Sequence, residues 1–95
     1  MKIEFEWNEE KAELNMKKHG VSFDEAATVF DDLFNVDFHD PKHSIEEHRF
    51  LIVGESNLQR LLIVSYAERN DKIRIISARE LTPQERRNYE YETFE

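Results

Sequence analysis

The chain contains no cysteine, which excludes disulfide bonds and thiolate chemistry and fits the cytoplasm. It has only two glycines and two prolines, and no repeat, low-complexity segment or linker can be picked out. No apolar run approaches the roughly 20 residues that a membrane-spanning helix needs. The N-terminus lacks the basic-then-apolar order of a signal peptide and reads instead as an alternating strand. Bases are scarce: 13 Lys and Arg face 21 Asp and Glu, for a net charge of −8. That balance argues against a general nucleic-acid binder, because such binding is dominated by phosphate neutralisation.

What is present suffices for one core. The 95 residues are expected to form one domain, 1–95, and a chain of that size buries somewhat over ~60% of its unfolded surface. Aromatics at 12%, seven of them Phe, supply large core side chains, and 36% charged residues point to solubility. The charge is unevenly spread. Residues 1–56 hold 14 acids and 6 bases, residues 57–79 hold 2 acids and 5 bases, and residues 80–95 hold 5 acids and 2 bases. The cationic part is therefore the stretch before and through Arg79, and the acidic parts face solvent or a basic protein partner.

Ile3, Phe5 and Trp7 alternate with Lys2, Glu4 and Glu6, which predicts a half-buried strand over 2–7. Asn8 is placed to cap a helix reaching about Lys18, with Glu9 and Glu10 in its first turn and Gly20 ending it at positive φ. Ser22-Phe23-Asp24-Glu25 reads as a capping box, with Val21 able to staple onto Ala26. The helix that follows, over 23–33, buries Phe23, Ala26, Ala27 and Phe30. A short strand at Val36–His39, a polar stretch to about His48, and strands at 49–53, 61–67 and 73–79 come next, the last three in a meander. Thr82-Pro83-Gln84-Glu85 is a second capping box, opening a helix over 83–92. The order predicts an α+β fold: a mainly antiparallel twisted sheet, two N-terminal helices on one face, and a C-terminal helix.

Residues 73–79, Ile-Arg-Ile-Ile-Ser-Ala-Arg, form an apolar strand with two arginines set into it. Guanidinium groups stay charged, so each needs a partner when partly buried. The partner is either an internal carboxylate, with Glu47, Glu68 and Glu85 available, or an external anion such as a phosphate. Arg69 ends the preceding strand and is a third such cation. Strict alternation puts Ile73, Ile75, Ser77 and Arg79 on one face and Arg74 on the other. His19 is either a general acid or base, or a side chain closing the helix C-terminus. Lys11 and Lys18 meet an anionic partner or simply form a solvated face. Tyr66 and Glu68 are proton carriers or, for the tyrosine, packing. His39, His43 and His48, with Asp37 and Asp40, lack helical spacing and read as a polar surface loop; no metal or other cofactor is expected.

Three sets of residues carry a family resemblance. The first is Glu6-Trp7-Asn8, Lys11, Asn15, Lys18-His19-Gly20-Val21-Ser22-Phe23, Glu25-Ala26 and Phe30-Asp31. The second is Asp40-Pro41, His43-Ser44, Glu47 and Arg49. The third is Tyr66, Glu68-Arg69, Ile73 to Arg79, Glu85-Arg86 and Tyr89. In this order the chain resembles the BrnT family of type II toxins over nearly its whole length. The resemblance implies a fold like that of the RelE-like ribonucleases, cutting of RNA without a metal, and neutralisation by a BrnA-like antitoxin. DNA would be met only through that antitoxin's DNA-binding part. On this reading Arg69, Arg79, His19 and Tyr66 are catalytic candidates, with Arg79 and Arg69 favoured for charge stabilisation, and Lys11, Lys18, Arg49 and Arg74 are RNA-binding candidates. In the family pattern the position of Ala67 often holds Thr, so one hydroxyl donor is missing here. The alternative is a non-enzymatic partner or co-repressor of a DNA-binding antitoxin.

Overall fold

In the computed structural model, residues 2–43 and 47–94 are described, with side chains as far as residue 90. The chain runs β1 (Phe5–Glu6), α1 (Glu9–His19), α2 (Phe23–Thr28), β2 (Val36–His39), β3 (Arg49–Glu55), β4 (Leu61–Arg69), β5 (Lys72–Glu80) and α3 (Pro83–Phe94), with short 3-10 turns at Val29–Asp31 and Pro41–His43. These form an α+β fold with a five-stranded sheet in the order β1-β5-β4-β3-β2. All neighbours are antiparallel except β1, which runs parallel to β5. β4 and β5 are both interior to the sheet. A two-residue turn joins them, with Asn70 and Asp71 at φ 51 and 66, the left-handed pair that a tight hairpin prefers.

Local chemistry explains most boundaries. The Asn8 side chain accepts from the Lys11 N–H and starts α1; Gly20, at φ 68, ends it by donating its N–H to the Met16 carbonyl. Ser22 accepts from the Glu25 N–H and starts α2. The expected return bond from Glu25 is not made. Its carboxylate instead accepts from the Ser56 hydroxyl at 2.6 Å and pairs with the Arg60 guanidinium, tying α2 to the β3–β4 connection. The Arg60 hydrogen bonds hold the buried Glu25 carboxyl below its ordinary value despite desolvation. The α-helix also ends sooner than expected, at Thr28, where the Thr28 hydroxyl turns back to the Glu25 carbonyl and the chain tightens into a 3-10 turn. The predicted strand over 2–7 shrinks to Phe5–Glu6, with Ile3 48% exposed. At Gly54 an added Cβ would lie 3.1 Å from Val29 Cγ1 and 3.0 Å from Asp32 Oδ2, so a larger residue would push these side chains back by a few tenths of an ångström.

The core lies between α2, the start of α1 and one face of the sheet. Val21, Phe23, Ala26 and Val29 meet Ile52, Leu62, Val64, Tyr66, Ile75 and Ala78, with Phe5, Trp7, Phe30 and Phe50 around them. Val29 joins the buried set, while Ala27 and Phe30 are only partly buried. On the stripe Ala12, Asn15, Met16 and His19, which helical spacing turns inward, Asn15 is the buried member at 6% exposed, while Met16 is 47% exposed. Asn15 accepts from the Ala78 N–H at 3.1 Å and donates to the Ala78 and Val21 carbonyls at 2.8 and 2.9 Å. Since β1 pairs only as far as Arg74, the Asn15 amide satisfies the β5 edge beyond it as another strand would.

β5 carries one residue more than β4 pairs: Ser65 faces Ser77, but Tyr66 faces Ile75. The bulge at Ile76 breaks strict alternation. Ile73, Ile75 and Ala78 fall on the core face, while Arg74, Ser77 and Arg79 fall together on the opposite, open face. The expected separation of Arg79 from Arg74 is thereby corrected. Two stability outcomes follow. Asn15→Ala strands the buried N–H and carbonyl of Ala78, at about 1–3 kcal/mol each. Gly20→Ala meets nothing within 4 Å and pays only for its backbone, about 1 kcal/mol. Urea denaturation of both variants should rank Asn15→Ala clearly the weaker; equal midpoints would refute the edge-closing role.

Candidate active site

The open face is organised in cross-strand rows. Arg49, Ala67, Arg74 and Glu6 stand in register across β3, β4, β5 and β1. The next row is Leu51, Ser65 and Ser77, and the one after it Val53, Ile63 and Arg79. On the other side of the Arg49 row, Arg69 is paired with Lys72. Arg49 and Arg74 are two strand spacings apart, about 10 Å between backbones. Only the buried methyl of Ala67 lies between them, which leaves the space above it to the guanidiniums.

Each arginine of this face meets a carboxylate. Arg69 donates to Glu47 at 3.0 Å, and the other Glu47 oxygen lies 3.8 Å from Arg49 Nε. Arg69's hydrogen bond, then the charges of Arg69, Arg49 and Arg74, hold the Glu47 carboxyl below its ordinary value. Arg74 donates to Glu6 at 3.2 Å. Arg79 makes a two-bond fork with Glu85 at 2.7 and 2.9 Å and also reaches the Glu80 carbonyl. Glu85 is itself one half of the completed capping box of α3, accepting from the Thr82 N–H while Thr82 accepts from the Glu85 N–H. The sheet thus gathers Arg49, Arg69 and Arg74 around Glu47, and leaves Arg79 two rows away, bound to α3.

Tyr66 is on the core face, 3% exposed, stacked on Phe50 and donating to Asp37 at 2.6 Å. Burial, with Asp37 as acceptor, pushes its phenol well above the ordinary 10, so it keeps its proton. The sheet separates it from the arginines. Lys11 and Lys18 are exposed on α1 and His19 is half-buried at its end, away from the arginine rows. His39 Nε2 lies 3.2 Å from His48 Nδ1, and His43 Nδ1 lies 2.8 Å from Asp40. Ser44 lies outside the described residues. Of the internal carboxylates expected as partners, Glu47 takes Arg69 and Glu85 takes Arg79; the facing hydroxyl pair Ser65–Ser77 was not foreseen, because it depends on cross-strand register.

Beside the Arg79 row, an apolar groove of about 310 Å³ runs between α3 and the sheet, lined by Val36, Phe38, Val53, Ile63, Leu81 and Tyr89 among others. Tyr89 closes it by donating to the Phe34 carbonyl at 3.0 Å. The Arg79–Glu85 fork beside this groove makes the molecule acid-sensitive. Arg79's hydrogen bonds, helped by the Thr82 N–H, bring the Glu85 carboxyl from 4.5 down to about 2. A depressed folded value means the stabilisation is complete above the unfolded value near 4.5 and is lost as pH falls toward 2. Thermal unfolding from pH 6 to 2 should therefore decline less steeply for Glu85→Gln than for wild type. Parallel curves would show that the fork contributes nothing.

The chain's likenesses agree with this architecture. The family model "Ribonuclease toxin, BrnT, of type II toxin-antitoxin system" matches residues 7–85. The crystal structure of the Brucella abortus ribonuclease toxin BrnT superposes with a TM-score of 0.67 at 21% identity, covering 85% of this chain and 99% of that one. At that identity the superposition speaks for the fold alone. No curated protein matches the sequence. Through the family match over most of its length, the chain belongs to the BrnT family of ribonuclease toxins of type II toxin–antitoxin systems.

Proposed function

We propose that the open face, centred on Arg49, Arg69 and Arg74, is where RNA is bound and cut, without a metal, by one RelE-like domain acting in the cytoplasm. The observation that carries this reading is the row Arg49–Ala67–Arg74, with Arg69 beside it on the same face. Planar, fork-shaped cations suit a phosphodiester, which gains charge as the ribose 2′-hydroxyl attacks phosphorus and the 5′-oxygen departs. Arg69 and Arg74 stabilise that charge, Arg49 holds the phosphate, and Arg79 takes a neighbouring part of the strand. Ser65 and Ser77 supply hydroxyl donors next to the methyl of Ala67. Lys11, Lys18 and His19 sit elsewhere and would meet only a longer RNA.

A BrnA-like antitoxin would silence the site by covering it. The apolar groove adjoins the arginine face through the row Val53–Ile63–Arg79. One partner segment can therefore bury apolar surface in the groove and place acids over the arginines. Opposite charge speeds that encounter, and the apolar contact sets affinity. The acidic remainder of the chain leaves DNA contact to the antitoxin. A second reading has its own support: Arg69, Arg74 and Arg79 are each paired with a carboxylate, as in a protein that only binds its antitoxin.

Induced expression without antitoxin separates the two. The expected outcome is slowed growth and fragmented RNA, with Arg69→Ala or Arg74→Ala lowering cleavage on the order of 100-fold, the usual loss when one charge-stabilising donor is removed. Lysine at either position should restore activity only in part, since it lacks the fork. Wild-type protein at good soluble yield that leaves growth and RNA untouched would establish the non-enzymatic reading.

A further inference from the structure

Glu47 stands where an external anion would be expected. It takes one hydrogen bond from Arg69 at 3.0 Å and approaches Arg49 at 3.8 Å, while Arg74 adds its charge from across Ala67. Carboxylate and phosphate oxygens satisfy guanidinium donors in the same way. The carboxylates that pair with Arg79 and Arg74, and the buried partner of Arg60, are held more firmly. Glu85 is forked to Arg79 and closes a helix cap. Glu25 is buried under Arg60 and Ser56. Glu6 lies in a strand, in register with Arg74. Glu47 belongs to neither helix nor strand, and its pair with Arg69 is open to water, with the side chains 31% and 47% exposed. An ion pair so exposed exchanges its anion at little cost.

We infer that Glu47 is the resident ligand of an oxyanion site made by Arg49, Arg69 and Arg74, and that a phosphodiester of RNA binds there by displacing it. This inference rests on the ribonuclease reading and adds a built-in competitor to it. The arginines paired in the free protein are then the ones that act in the complex. Displacement has a consequence for salt. The carboxylate released from the arginines offsets part of the charge neutralised on the RNA, so fewer counterions are freed than the number of arginines suggests.

The test measures binding apart from cutting, using a single-stranded RNA oligonucleotide whose riboses are 2′-O-methylated and cannot attack. Glu47→Gln keeps the shape and removes the charge. Fluorescence anisotropy should show it binding roughly fivefold tighter than wild type, as expected for relief of one exposed ion pair. Its salt dependence should also be steeper, by up to ~0.7 in the log–log slope. Arg69→Ala should cancel the gain in the double variant. In the wild type, carbon-detected titration should find the Glu47 carboxyl depressed in the free protein and back in the ordinary range with the oligonucleotide bound. That measurement stands even where the variant folds poorly. Affinity unchanged or weakened in a folded Glu47→Gln, or a Glu47 titration indifferent to the oligonucleotide, would overturn the inference. If wild type still cuts unmodified RNA in that case, the ribonuclease reading survives. If wild type cuts nothing while Glu47→Gln gains affinity, the anion site stands and the ribonuclease reading falls.

Discussion

Between Ile75 and Ser77 β5 carries one residue that β4 does not pair, and the whole arginine face depends on where that residue sits. Upstream of it the strand sends Ile73 and Ile75 into the core; downstream it sends Ala78 there. Without the extra residue, Ser77 and Arg79 would follow the isoleucines onto the core face, and a guanidinium would be carried beneath the helices at a large desolvation cost. The frame shift is held by Asn15, which grips both the N–H and the carbonyl of Ala78. A slip of β5 by one residue would break both bonds and turn the side chains over. One side-chain amide on α1 thus secures the register on which Arg74 and Arg79 depend.

The two faces of the sheet divide the work. The core face is filled with aromatic and aliphatic side chains, and its polar groups are tied down: Tyr66 to Asp37, Glu25 to Arg60 and Ser56. The open face is charged over β5 and its neighbours and apolar where α3 lies near it. The arginines gain a surface of focused positive charge on a molecule with net charge −8. Their carboxylate partners keep that charge from being bare in the free protein. Such pairing is compatible with catalysis where the carboxylate can be exchanged, as at Glu47, and much less so where it also caps a helix, as at Glu85. On the proposed reading Arg69, whose partner is Glu47, is for that reason better placed for chemistry than Arg79.

Much of the architecture was legible in the residues. Capping groups, the glycine after α1 and apolar alternation located three helices and five strands in the right order, because these signals act within a few residues of themselves. The bulge in β5 was not legible, because it is settled by a partner distant in sequence, the Asn15 amide on Ala78. Glu25 shows the same effect: its local pattern completes a capping box, yet an arginine 35 residues on, with Ser56, takes the carboxylate.

By itself the sequence determined the family, the order of elements, the scarcity of bases outside the Arg60–Arg79 region and the presence of arginines in apolar strands. All of these are properties of residue type and short-range spacing. Only the tertiary structure decided which arginines share a face, that Tyr66 lies on the opposite side, and that Glu47 is the carboxylate among them. Side-chain direction in a strand reverses with every residue. One unpaired residue at Ile76 therefore rearranges the candidate site while leaving the pattern of apolar and polar letters unchanged.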